Sequence, residues 1–82
     1  MFKSREEVNR LRELYPEGIE IVLKHMDDPQ APPSGTRGTV THVDDIGQIH
    51  WTGSGLAINV DHDIFYRIDK MGWLIDEGGN RI

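Results

Sequence analysis

Cysteine is absent from the 82-residue chain, which removes disulfide staples and thiolate metal sites together and suits a reducing compartment. Any metal would have to rest on histidine and carboxylate. None of the ordinary ligand spacings is present, and adjacent aspartates in a strand point to opposite faces, so neither a metal site nor a cofactor is expected. Positive charge is scarce: nine Lys and Arg stand against fourteen Asp and Glu, a net charge of -5, and the cations are scattered from Lys3 to Arg81. A phosphate-backbone binder concentrates its cations on one face, so nucleic acid is not an expected partner. No apolar run approaches the roughly 18 residues of a membrane span, and MFKSREEVNR lacks the apolar stretch of a signal peptide. A cytoplasmic protein without a membrane partner is expected. The nucleophile elbow, the metalloprotease helix and the phosphate loop are all missing, which argues against an enzyme. A chain this short buries only roughly 60% of its unfolded surface, and oligomerisation is the usual reinforcement, so a homo-oligomer is one expectation.

What is present begins with a helix. Ser4 and Glu7 have the spacing of a reciprocal N-terminal cap, Val8, Leu11, Leu14 and Tyr15 share one face, and Pro16 ends the segment. The period then changes from 3.6 to 2. IEIVLK at 19–24 alternates Ile19, Ile21 and Leu23 with Glu20, Val22 and Lys24, and GTVTHV at 38–43 is rich in β-branched residues. GQIHW at 47–51, GLAINV at 55–60 and IFYRID at 64–69 complete five short strands, the last two with Leu56, Ile58 and Val60, then Ile64, Tyr66 and Ile68, on one face. Asp44-Asp45-Ile46-Gly47, Thr52-Gly53-Ser54-Gly55 and Asp61-His62-Asp63 are tight links, so the strands form an antiparallel meander. The one long connection runs from His25 to about Thr36. Five strands on one small core suggest a closed or nearly closed barrel. The expected fold is therefore mainly β: a single domain with an N-terminal α-helix at 4–15, a five-stranded SH3-like barrel at 19–69 and a C-terminal extension at 70–82.

The run LRELYPEGIEIVLKHMDDPQAPPSGTRGTVTHVDDIGQIHW resembles the DUF4314 family, small domains of phages and bacterial mobile elements whose function is uncharacterised. The resemblance is carried by Tyr-Pro-x-Gly, His-Met-x-Asp-Pro, Pro-x-Gly-Thr-x-Gly-Thr-Val and Val-Asp-Asp-x-Gly, and it covers residues 11 to about 68. It implies a phage or mobile-element origin and an SH3-like fold, but no activity. The chain departs from the pattern after Trp51. Thr52-Gly53-Ser54-Gly55 stands where the family pattern continues Trp-Asp-x-Gly, so no role for an aspartate at that turn carries over.

The residues that invite a binding role sit mostly in the long loop: His25, Asp27, Asp28, Pro29, Pro32 and Pro33. Three prolines stiffen it and let it present side chains at low ordering cost. It holds no aromatic residue, which argues against recognition of Pro-rich peptides in the usual SH3 manner. Two kinds of partner remain. In one, the acidic loop face of Asp27, Asp28, Asp44 and Asp45 docks on a basic patch of a host or phage protein. In the other, an oligomer sequesters a small signalling nucleotide as an anti-defence sponge, with Trp51 stacking the base if it is exposed and Arg37, Arg67 or His50 near the phosphate or ribose. The net charge favours the first. The tail KMGWLIDEGGNRI carries Met71, Trp73, Leu74, Ile75 and Ile82, and is expected to pack either on the N-terminal helix or across a subunit boundary.

Overall fold

The computed structural model describes residues 3–76 and 78–82. The chain enters through α1, Arg5–Leu14. The Ser4 hydroxyl accepts the Glu7 amide at 3.2 Å, satisfying one of the free N–H groups of the first turn. Val8, Leu11 and Tyr15 are buried on the face turned to the sheet. Arg12 fastens the opposite end of the packing: its Nε donates to the Val43 carbonyl at 3.2 Å and its Nη2 pairs with Asp45 at 2.9 Å. A helix of 10 residues is marginal alone, so these sheet contacts are what hold it.

Six strands follow: β1 Glu20–His25, β2 Arg37–Val43, β3 Gln48–Trp51, β4 Ser54–Asn59, β5 Ile64–Ile68 and β6 Leu74–Ile75. They form one antiparallel sheet in the order β4-β3-β2-β1-β5-β6. Two expectations are corrected here. The sheet is open, ending at β4 and β6, and it has six strands because the extension at 70–82 returns to pair with β5. The return is made by a turn whose chemistry also makes the β2–β3 hairpin. In the hairpin, Asp44 Oδ1 accepts the amides of Ile46 and Gln48 while Gly47 donates to the Asp44 carbonyl. Asp69 does the same for Met71, Trp73 and Gly72, and Asp76 for Gly78, Asn80 and Gly79. Each Asp-x-x-Gly turn needs a left-handed residue at its fourth position, and the three glycines have φ of 85°, 86° and 83°.

The core lies between α1 and the inner face of the sheet. Ile21, Leu23, Val40, Ile49 and Ile58 are its most completely buried side chains, with Trp51 and Met26 beside them. β1 is covered on both faces, because Val22 is buried as well, opposite Arg37 on one side and Tyr66 on the other. Val22 therefore departs from the simple alternation expected of it. On β5, Phe65 and Arg67 face the helix: the Phe65 ring lies 5.4 Å from that of Tyr15, and the Arg67 guanidinium 5.9 Å from the same ring. Ile64, Tyr66 and Ile68 do share a face, and it is the other one. Arg67 also ties the two chain ends together, donating to the carbonyls of Leu14 at 3.4 Å and Asp76 at 3.0 Å.

Gly47 is a sensitive position in this frame. Its φ is positive, and a Cβ there would stand 2.6 Å from Lys3 Cδ. Gly47→Ala is expected to lower unfolding free energy by about 1 kcal/mol or more in a urea titration, with the urea dependence unchanged.

Candidate functional site

The long loop is ordered by its own backbone chemistry. Asp28 Oδ1 accepts the Gln30 amide at 2.7 Å and its carbonyl accepts that of Ala31 at 3.0 Å, so this aspartate shapes the turn that Pro29 enters. At the far end Pro33 supplies its carbonyl to both the amide and the hydroxyl of Thr36. Ala31 packs against the core and anchors the middle.

One side of this loop faces a cleft of about 500 Å³. Met26, Asp27 and Asp28 line it from the loop, Leu56, Ala57 and Asn59 from β4, with Gln48 of β3 beside them, and His62 and Asp63 from the turn that follows β4. Its charge is one-sided: three carboxylates and a histidine, with no Lys or Arg among the lining residues. Asp63 is held in place, because Asp63 Oδ2 accepts the Asn59 amide at 2.8 Å. Asp27 is exposed and makes no hydrogen bond or ion pair with another described residue. Met26, Leu56 and Ala57 give the cleft an apolar part beside the carboxylates, a lining that suits the long stem and charged head of a basic side chain.

Of the residues singled out from the sequence, Asp27 and Asp28 meet in this cleft. His25 closes β1 opposite Ile64 and is exposed. Pro29 and Pro33 are exposed and Pro32 half-buried, all in the loop away from the cleft lining. Arg37 lies in β2 opposite Val22, on the outer face of the sheet. Trp51 corrects its conditional role as a stacking platform. It is 5% exposed, and its indole N–H donates to the Leu56 carbonyl at 3.0 Å, so its rings belong to the core. The second aspartate pair does not join the first. Asp44 builds its turn and Asp45 meets Arg12.

His50 takes a structural place. Its Nε2 donates to Asp44 Oδ2 at 2.8 Å, and its ring stacks on that of His42, its cross-strand partner, with centroids 4.4 Å apart. Partial burial of the Asp44 carboxyl raises its pKa, and the hydrogen bonds from His50, Gln48 and Ile46 outweigh that and leave it below the ordinary value. A carboxyl depressed in the folded state stabilises the fold above its unfolded value, about 4, and that contribution is lost as pH falls through the folded value. Asp44→Asn should therefore give a shallower fall of melting temperature below about pH 4 than the parent shows. Equal slopes in the two acid limbs would remove Asp44 from the cause of acid sensitivity.

Among the described residues, no group of three or more His, Asp or Glu side chains is arranged to hold a metal, and no helix is long and apolar enough to cross a membrane. The arrangement is that of a small antiparallel β domain with a helix over one face and an acidic cleft along its β4 edge. The family model for DUF4314, a domain of unknown function, matches residues 4–68, and the chain belongs to that family. No curated protein and no solved structure matches it.

Sequence alone does not single out the cleft's other residues. Asp61-His62-Asp63 was legible only as a polar connection, and the aspartate that reaches the cleft is identified by the turn that points it there. Met26, Leu56 and Ala57 read as ordinary strand and loop residues.

Proposed function

We propose that the chain is a non-catalytic binding module of phage or mobile-element origin, acting in the host cytoplasm, whose acidic cleft docks a Lys- or Arg-bearing surface of a host or phage protein. The observation that carries this is the convergence of Asp27, Asp28 and Asp63 on one cleft that holds no cation among its lining residues. Charge complementarity of that kind raises association rates and selects among partners. The strand order supports an SH3-like relationship, with β1 between β2 and β5 and the long loop joining β1 to β2. In that view the barrel is opened beside β4. The nucleotide reading loses its main support, because Trp51 is buried and the carboxylates at the cleft repel phosphate.

Asp27→Lys tests the proposal, since Asp27 is exposed and makes no hydrogen bond or ion pair with another described residue. A lysine-rich peptide titrated calorimetrically into the parent should bind with an affinity that falls as salt rises. The variant should melt at the parent temperature and bind at least about tenfold more weakly, roughly 1.4 kcal/mol. Equal affinity for parent and variant would overturn the assignment of this cleft.

A further inference from the structure

The cleft runs along an unpaired strand edge. Among the described residues, β4 ends the sheet and pairs only with β3. That ladder is irregular: Gln48 faces Asn59 and Ile49 faces Ile58, but the next registered pair is Trp51 with Ser54, so the register shifts across Gly55, Leu56 and Ala57. Leu56 is satisfied locally, its amide donating to Ser54 Oγ at 3.0 Å and its carbonyl accepting the Trp51 indole. Asn59 is satisfied by the next turn. Its amide goes to Asp63 Oδ2, and its carbonyl accepts the amides of His62 and Asp63 at 3.2 and 2.8 Å. The backbone groups of Asn59 thus point away from β3. Alternate residues of a strand direct their N–H and C=O to the same edge, so Ala57, two positions earlier, presents its own outward beside the cleft it lines.

Resting on the proposed acidic docking site, we infer that the occupant is an extended segment of another protein with Lys or Arg at alternate positions, added as a further strand on the edge of β4. Hydrogen bonds to the Ala57 N–H and C=O fix its register, and its basic side chains, all on one face by the period of two, reach Asp27, Asp28 and Asp63. Charge decides between this occupant and a second copy of the chain. Two β4 edges joined to each other would bring two sets of these carboxylates together, and like charges across paired strands are destabilising. A basic strand removes that repulsion.

The test uses the full chain labelled with ¹⁵N and three probes: the hexapeptide Lys-Val-Lys-Val-Lys-Val and two copies of it N-methylated on the backbone at the odd or at the even positions. The plain hexapeptide should slow exchange of the Ala57 amide, and one of the two methylated copies should bind about tenfold more weakly, because only one edge of the added strand faces β4. If all three bind alike and Ala57 exchange is unchanged while the Asp27, Asp28 and Asp63 resonances still move, strand addition is wrong and the acidic docking site stands. If none of the three moves those resonances, both fail. A concentration-dependent dimer dispersed by the plain hexapeptide would also overturn the inference, assigning the edge to a second copy.

Discussion

Trp51→Ala is expected to cost about 3–5 kcal/mol, the largest effect of any single substitution considered. The indole fills the corner where β2, β3 and β4 meet. It is 5% exposed, it donates to the Leu56 carbonyl, and Gly38 and Gly53 are glycines because it lies against them: a Cβ at Gly38 would stand 2.6 Å from Trp51 Cε3. Total stability for a domain of this class is about 5–15 kcal/mol, and a chain of 82 residues belongs toward the lower end, so the loss takes much of the margin. Urea unfolding followed by far-ultraviolet circular dichroism measures it. Trp51→Phe keeps most of the packing and loses the indole hydrogen bond, so its cost should be less than half that of alanine. A folded, near-parent Trp51→Ala would show that the indole is not part of the core.

Deleting residues 70–82 should produce the second large effect. The segment supplies β6, whose Leu74 pairs with Ile68, and the Asp76 carbonyl that receives Arg67. Without it, Ile68 loses its neighbour on the outer face and Arg67 loses one of its two acceptors. Uncovering one isoleucine costs about 1.5–3 kcal/mol, and the lost hydrogen bond about 1 kcal/mol. A melting temperature lower by roughly 10–30 °C is expected on the usual conversion for a domain of this size. The sequence allows this apolar tail to pack on the N-terminal helix or across a subunit boundary; only Leu74 and Ile75 are taken up within the chain, while Met71, Trp73 and Ile82 stay exposed. Pairing with β5 is the arrangement found, and Arg67 makes the link to the helix by bonding the Leu14 carbonyl at the same time. An equally stable truncation would mean that β6 is a passive appendage.

The contrast between the two aspartate-glycine turns of the tail and the one in the hairpin explains what the residues disclosed. Asp44-Asp45-Ile46-Gly47 was readable because alternating strands flank it on both sides. Asp69-Lys70-Met71-Gly72 has the same spacing, yet only the pair Leu74–Ile75 follows it, too short to announce a strand by alternation. The spacing of Asp and Gly was the available signal. The helix was readable because Ser4 and the spacing of Val8, Leu11 and Tyr15 act within one segment. Openness of the sheet was not, since whether β4 meets another strand depends on sheet curvature and bulges, such as the shift between Ile49 and Trp51, rather than on composition. The site divides the same way. Asp27 and Asp28 advertise themselves as exposed charges on a long loop, whereas Asp63 joins them only through the turn that closes on Asn59. His50 and Trp51 carry chemistry that the fold uses for its own support.

The most direct measurement is a chemical-shift map of the ¹⁵N-labelled chain titrated with a lysine-rich peptide at low salt, beside a glutamate-rich peptide of equal length. Docking at the acidic cleft requires that the lysine peptide move the amides of Met26, Asp27 and Asp28 together with those of Ala57, Asn59 and Asp63, that added salt reverse the shifts, and that the glutamate peptide leave them in place. Shifts confined to Arg37 and Tyr66 on the outer face of the sheet, or equal responses to the two peptides, would contradict it.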